Sequence, residues 1–346
     1  MSVLSSARLA ALRGVQRLGG FSLAARSQWR NRRLLVLCYH GVSVRDEHEW
    51  FGLYVSQRHL DRRLRRLKEL GCSLLPLAEA LERQQIGELP PRAVSLTFDD
   101  GTADSLPRPY PVLQGRAAPA MLSQTTWYVD KPYPVFNTMS SYVLWKGRGR
   151  EASLPWLPSS IRIPQSAAAP EFQAMHRALL AHVEAQNLSG AQQHELLGEI
   201  ARAVAVELEP LVDQRLLGLM TRSELNALDP ALVDIQLHTH RHRTPRDRDL
   251  FVRELDDNAA ALRLLVDRPL DLRHFCYPSG VYYPEYGPWL REWGAVSATT
   301  CDTSLAEPGG DLMFTPRLMD MPHTPDVIFD AWATGAAAFV PGRGRI

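Results

Sequence analysis

Lysine is scarce in this chain. Lys68, Lys131 and Lys146 are the whole supply among 346 residues, and arginine carries the rest of the basic charge. The net charge is +1, so no global field recruits nucleic acid, and none is an expected partner. Cysteine is sparse too. Cys38, Cys72, Cys276 and Cys301 form no C-x-x-C pair, which argues against a cysteine zinc site, and their wide spacing argues against a small disulfide-stapled domain. Buried free thiols are the expectation. No apolar run approaches the ~20 residues needed to span a bilayer. Acidic residues are missing from the first 45 positions, where Arg8, Arg13, Arg17, Arg26, Arg30, Arg32, Arg33 and Arg45 alternate with Leu9, Leu12, Val15 and Leu18 at helical spacing. The apolar runs there are too short and too broken for a secretory signal. Two readings stay open for residues 1–32: a basic amphipathic helix lying on an anionic membrane surface, or a helix packing its apolar face on the rest of the protein. The expected location is the cytoplasm, peripheral to the membrane under the first reading.

Hydrophobic residues make up 45% of the chain, enough for a packed core in one large α/β domain with an insertion. Residues 34–38 form a continuous apolar run of strand length, as expected for a strand buried on both faces. Leu60, Leu64, Leu67 and Leu70 then recur at helical spacing before Gly71, and AVSLTF reads as a further strand. This β–α–β rhythm predicts a parallel sheet or barrel over residues 33–135 and 231–325. Residues 136–230 have a helical pattern, with a proline-rich entry at LPWLPSSIRIP, and read as an insertion. Thr221-Arg-Ser-Glu224 is a capping box within it. Residues 326–346 are left as a C-terminal helix and tail.

The chemistry concentrates at two points. Thr97-Phe98-Asp99-Asp100-Gly101 closes the strand AVSLTF. Adjacent carboxylates repel each other and need a cation, a proton or hydrogen bonds, and ligands gather at the carboxyl ends of parallel strands. A polar turn capping the next helix would also explain the dipeptide. The second point favours a site: three of the eleven histidines fall within the five residues His238-Thr239-His240-Arg241-His242, after the strand-like VDIQL. On a regular strand His238 and His242 would stand ~13 Å apart, at ~3.3 Å per residue, so the chain must turn after His238 for both to bind one ion.

These segments resemble the T-F-D-D-G and H-[ST]-x-x-H motifs of the polysaccharide deacetylases, carbohydrate esterase family four, and match both in full. Cys38-Tyr39-His40-Gly41-Val42 resembles the Y-H-x-V opening strand of members from exopolysaccharide gene clusters. The resemblance implies a distorted β/α barrel and hydrolysis of acetyl groups, N-acetyl before O-acetyl, from a polysaccharide or glycan intermediate. It implies a divalent metal, zinc first, held by Asp100, His238 and His242, and Asp99 as the base that activates a metal-bound water. Tyr39, His40, Tyr277 and Pro278 become candidate substrate contacts, with Trp127 and Tyr128 as further aromatic candidates; for each of these aromatics a place in the core is an equally good reading. Two departures stand out. Phe275-Cys276-Tyr277-Pro278-Ser279-Gly280 carries Cys276 where the family's R-x-P-x-G has the arginine that orients the base, leaving that role unfilled or supplied elsewhere. The strand-terminal Leu-x-His of many members is replaced by Phe314-Thr-Pro-Arg317-Leu318-Met-Asp320, with His323 nearby as either the general acid or an exposed loop residue. Alternatives are a carbohydrate-binding relic without turnover and a metallohydrolase of another family. His238-Thr-His240 resembles the H-x-H of amidohydrolases but lies late in the chain, and Arg241 stands where metallo-β-lactamases need Asp.

Overall fold

A computed structural model describes residues 3–131, 133–157 and 159–340. Residues 341–346 of the expected C-terminal tail lie outside them. Among the described residues there are ten strands: β1 (Leu35–Tyr39), β2 (Ser73–Leu74), β3 (Ala93–Phe98), β4 (Ala120–Gln124), β5 (Glu151–Ala152), β6 (Ile161–Arg162), β7 (Val233–Leu237), β8 (His274–Cys276), β9 (Ser297–Thr299) and β10 (Leu318–Met319). Eight form one sheet in the order β10-β1-β3-β4-β7-β8-β9, with β2 beside the start of β3, and every pairing in it is parallel. The sheet curls into a distorted, open barrel with helices outside, and the bridge Thr299–Thr315 with the Arg317–Asp302 backbone hydrogen bond links β9 toward the segment that leads into β10. β1, β3 and β4 are buried along their whole length, which is why they read as unbroken apolar runs.

The helix Gln57–Glu69 forms where the leucine spacing puts it. The Ser56 side chain accepts from the His59 amide at its start, Leu60, Leu64 and Leu67 are buried, and Gly71 adopts φ 67° just past its end. Apolar side chains inside and around the barrel make the main core. A second core is built from residues 136–217, with Trp50 and Tyr54 contributed by the loop after β1. Its helices are Phe136–Lys146, Pro170–Ala185, Gly190–Ala203 and Glu209–Asp213, and β5 and β6 add a short antiparallel pair that the helical pattern of the sequence did not announce. The capping box at Thr221 is present, but Leu225 and Leu228 behind it belong to the main core.

The N-terminal helices Val3–Arg17 and Gly20–Arg26 pack on the helix Asp326–Thr334. Leu12 is fully buried, and Leu9 and Val15 lie against the main core. Arg30 is buried as well and donates to the carbonyls of Ala333, Arg33 and Ala93. The apolar face considered for a membrane surface is thus covered by the protein itself, although Leu18 and Leu23 remain exposed. Among the described residues no helix is long and apolar enough to cross a membrane.

Candidate active site

The site forms at the carboxyl ends of β3, β7 and β8. At the end of β3 the chain bends through Asp100 and Gly101, both in the left-handed region (φ 71° and 74°). A side chain at Gly101 would place its Cβ 1.8 Å from Gln124 Oε1, so only glycine fits. After β7 the chain turns as the ligand argument requires, with Thr239 and His242 left-handed at φ 60° and 54°. The fully buried Thr239 braces that turn by accepting the Arg243 amide at 3.1 Å. Non-glycine residues in this region cost of order ~1–3 kcal/mol each and persist where the surroundings over-determine them. Here they deliver imidazoles and a carboxylate to one point.

Asp100 Oδ1 lies 3.1 Å from His238 Nε2 and 3.1 Å from His242 Nε2. Desolvation pushes the Asp100 carboxyl up, but His242 and His238 outweigh it and hold it well below the usual carboxylate range. His238 Nδ1 faces the Cys276 carbonyl at 2.9 Å, a contact that places the proton on Nδ1 and leaves Nε2 free as a ligand. One carboxylate oxygen and two imidazole nitrogens, all within 4.8 Å of one another, suit a divalent ion in chemistry and spacing and leave positions open for other ligands. His240 takes no part in this cluster. Its Nδ1 is 2.7 Å from Thr126 Oγ1, and its carbonyl accepts the Trp127 amide at 2.7 Å.

Asp99 is 2% exposed. Its partner is Arg317, fully buried, whose Nη1 and Nη2 donate to the two carboxylate oxygens at 2.8 Å each. Arg317 is anchored in turn on the Thr300 carbonyl and Thr97 Oγ1. Burial alone would raise the Asp99 pKa; the guanidinium outweighs it and holds the carboxyl far below the ordinary range. With cysteine at position 276, the arginine paired with Asp99 is Arg317, from just before β10 at the other end of the sheet. Cys276 Sγ itself lies 3.3 Å from Asp99 Oδ2 and 3.2 Å from Arg317 Nη2. All four cysteines are free.

A groove of about 260 Å³ opens over Asp100 and His242, with His40, Tyr54, Tyr128 and Arg241 among its walls. His40 Nε2 is 3.9 Å from Asp99 Oδ2. His323 is exposed in the turn after β10 and does not line this groove, so of the two histidines His40 is the one in its wall. Three of the four expected substrate contacts change meaning. Tyr39 is 1% exposed, stacks on Phe98 and donates to Asp320 Oδ2; Tyr277 is 1% exposed, donates to the Met313 carbonyl and stacks on Phe314. Neither has a free face for a sugar ring, and Pro278 is buried beside them. They are core residues that fix β1 and β8.

Solved structures with this architecture cover most of the chain. The Streptococcus pyogenes deacetylase PplD in complex with acetate aligns over 87% of this chain and 98% of its own at a TM-score of 0.56 and 16% identity. The fold is that of the polysaccharide deacetylases. A de-N-acetylase from Aggregatibacter actinomycetemcomitans aligns over the same 87%, and 99% of its own chain, at a TM-score of 0.55 and 15% identity. IcaB from Ammonifex degensii aligns over 87% and 97% at 0.50 and 21%. In sequence, the poly-β-1,6-N-acetyl-D-glucosamine N-deacetylase of Escherichia coli K12 is 30% identical over 112 residues. That match takes in 32% of this chain and 16% of the relative, so the chain corresponds to a small part of the relative's length. No family model matches the chain.

Proposed function

We propose that the protein is a divalent-metal-dependent deacetylase that removes N-acetyl groups from an exopolysaccharide-type glycan. The observation that carries this reading is the convergence of Asp100 Oδ1, His238 Nε2 and His242 Nε2 beside a second carboxylate, Asp99, that is paired with an arginine instead of joining the cluster. Asp100, His238 and His242 would hold the ion, zinc first, which when bound supplies Lewis-acid polarisation of the acetyl carbonyl and acidifies a water. Asp99, kept ionised by Arg317, accepts a proton from the water that adds to the acetyl carbon. The pairing makes it a dependable acceptor and a weak base, which fits a water already acidified. His40 faces both Asp99 and the groove, and we assign it, in place of His323, the proton that the departing nitrogen takes as the C–N bond breaks. Water and amide are consumed, and acetate and a free amine leave.

A relic without turnover would be favoured by a base without its arginine and by the lack of a general acid; Arg317 on Asp99 and His40 in the groove wall speak for the enzyme instead. An amidohydrolase reading needs His240 as a ligand, and His240 is bonded to Thr126. The test is acetate release from a panel of N- and O-acetylated glycans, by protein stripped with a chelator and then resupplied with zinc, cobalt or nickel. Release that disappears on stripping and returns with metal is expected. Equal release by stripped and reloaded protein, or none from any glycan, would overturn the proposal.

A further inference from the structure

Three of the four cysteines surround the ion pair of Asp99 and Arg317. Cys38 Sγ lies 3.5 Å and Cys276 Sγ 3.3 Å from Asp99 Oδ2, while Cys276 and Cys301 stand 3.2 Å and 3.6 Å from Arg317 Nη2. Cys72 stands apart, beside Arg30 and Arg92. The chemistry of deacetylation uses no thiol. A buried cysteine is by itself an ordinary small core residue. Three of them around the pair that holds the proton acceptor put oxidisable sulfur where a small shift is felt.

The three thiols differ in access and in proton affinity. Cys38 and Cys276 are buried, whereas Cys301 is partly exposed in the loop that follows β9. Cys301 accepts a hydrogen bond from Cys38; this bond, with the charge of Arg317, holds its thiol below the ordinary range against the effect of burial. The Cys38 thiol, donor in that bond and buried, is pushed up. One sulfur is therefore a thiolate within reach of solvent, and its neighbour keeps the proton, which is the division that lets a dithiol oxidise in two steps.

Cys301 also sits between two handles on Arg317. The Thr300 carbonyl accepts from Arg317 Nε at 2.9 Å, and the Asp302 carbonyl accepts the Arg317 amide at 3.0 Å. A disulfide holds its sulfurs ~2.05 Å apart, so hydrogen-bonded thiols must close further to form one. Cys38 is held in β1, which is paired on both sides, with β3 and β10. The loop after β9 is the part that yields, and it carries both carbonyls with it.

We propose that Cys38 and Cys301 form a peroxide-sensitive pair whose disulfide loosens Arg317 from Asp99 and so arrests the enzyme. The Cys301 thiolate attacks one oxygen of hydrogen peroxide; the O–O bond breaks, and hydroxide leaves and takes a proton to become water. The Cys38 sulfur then attacks the sulfenic sulfur; the S–S bond forms, the S–O bond breaks, and the oxygen leaves with the Cys38 proton as a second water. Two thiols lose two electrons and the peroxide accepts them. Asp99 loses the Cys38 donor in the same step. The arrest of turnover rests on the deacetylase reading above; the bond between the sulfurs does not.

The test treats the zinc-loaded full chain with hydrogen peroxide, as wild type, Cys301→Ser and Cys72→Ser. Non-reducing peptide mass mapping identifies the linked cysteines, and elemental analysis follows the zinc. Acetate release from a β-1,6-linked N-acetylglucosamine oligomer, a probe taken from the Escherichia coli relative, is compared with each protein's own untreated sample. Wild type and Cys72→Ser are expected to gain a Cys38–Cys301 link, keep their zinc and lose at least ~10-fold in kcat, as an impaired base implies. A phosphine reductant reverses both changes. Cys301→Ser forms no link and keeps its own rate. A link between other cysteines, no link at any dose that leaves the protein folded, or a linked protein as active as the reduced one overturns the proposal. No acetate from reduced wild type counts against the deacetylase reading, and the mass mapping still decides the thiol pair.

Discussion

Replacing Arg317 by methionine tests the buried pairing that holds Asp99. The side chain is fully buried and makes two 2.8 Å bonds to Asp99, with further bonds to Thr97 and Thr300. Methionine fills a similar volume, so the loss is electrostatic. Removing one partner of a buried pair costs ~3–5 kcal/mol, because the other charge is left unpaired. That is a large share of the ~5–15 kcal/mol that holds a typical domain folded. The pH dependence has a definite sign. With Arg317 present, the Asp99 pKa lies below its unfolded value of ~3.9, so the pair contributes fully above that pH and loses its contribution as pH falls through the folded value. Without it, only His40 and His238 oppose the effect of burial, Asp99 takes up a proton more readily, and the acidic limb of kcat/KM moves to higher pH. Wild type and variant therefore differ most in stability at neutral pH and converge in acid. Urea denaturation at pH 7.5 and at pH 4 measures this, beside acetate release across pH. The double variant Arg317→Met, Cys276→Arg returns a guanidinium to the same carboxylate from β8, since Cys276 Sγ is 3.3 Å from Asp99 Oδ2, and restores part of both properties. An Arg317→Met protein as stable and as active as wild type at pH 7.5 would refute the reasoning.

His238→Ala removes a ligand whose Nε2 faces Asp100 at 3.1 Å, so elemental analysis should find the metal lost along with activity; full occupancy in the variant would dismiss the ligand set. Asp104 is buried and accepts the Val42 amide, and burial pushes its carboxyl up to about 7. Because the folded protein holds that proton more tightly than the unfolded chain, stability falls by ~1.4 kcal/mol per pH unit between ~4 and ~7 and then levels off. Asp104→Asn should flatten this slope and melt higher than wild type at pH 8, and an unchanged slope would show that other groups set it. Gly101→Ala pairs a left-handed backbone, worth ~1–2 kcal/mol, with a Cβ 1.8 Å from Gln124 Oε1. A lowered denaturation midpoint with loss of acetate release is expected, and wild-type behaviour would mean that the turn after β3 is looser than described.

Most of the barrel was legible because its strands are buried on both faces and its helices carry regular leucine spacing, patterns that a sequence displays directly. The turn after His238 was legible for another reason: no straight strand can bring His238 and His242 to one ion. Pairwise packing was not. Nothing local in Pro-Arg317-Leu318 names Asp99 as its partner, 218 positions away, although an arginine entering a buried strand is a signal that it needs one. Tyr39 and Tyr277 look the same on the page whether they stack on a sugar or on Phe98 and Phe314. His40 and His323 could be separated only by seeing which faces the groove. The leucines of the first helix carry one pattern for a lipid surface and for the body of the protein, and only the packing shows Leu12 buried while Leu18 stays exposed.

The central claim is that two adjacent carboxylates have unlike duties, Asp100 as ligand and Asp99 as proton acceptor. Asp99→Asn tests it most directly, with bound metal and acetate release measured on the same preparation. Asparagine keeps the size and one acceptor for Arg317 but removes the basic oxygen. The account predicts metal content equal to wild type and a kcat lower by ~10²–10⁴, with KM little changed. An Asp99→Asn protein that binds zinc and deacetylates at the wild-type rate would contradict it.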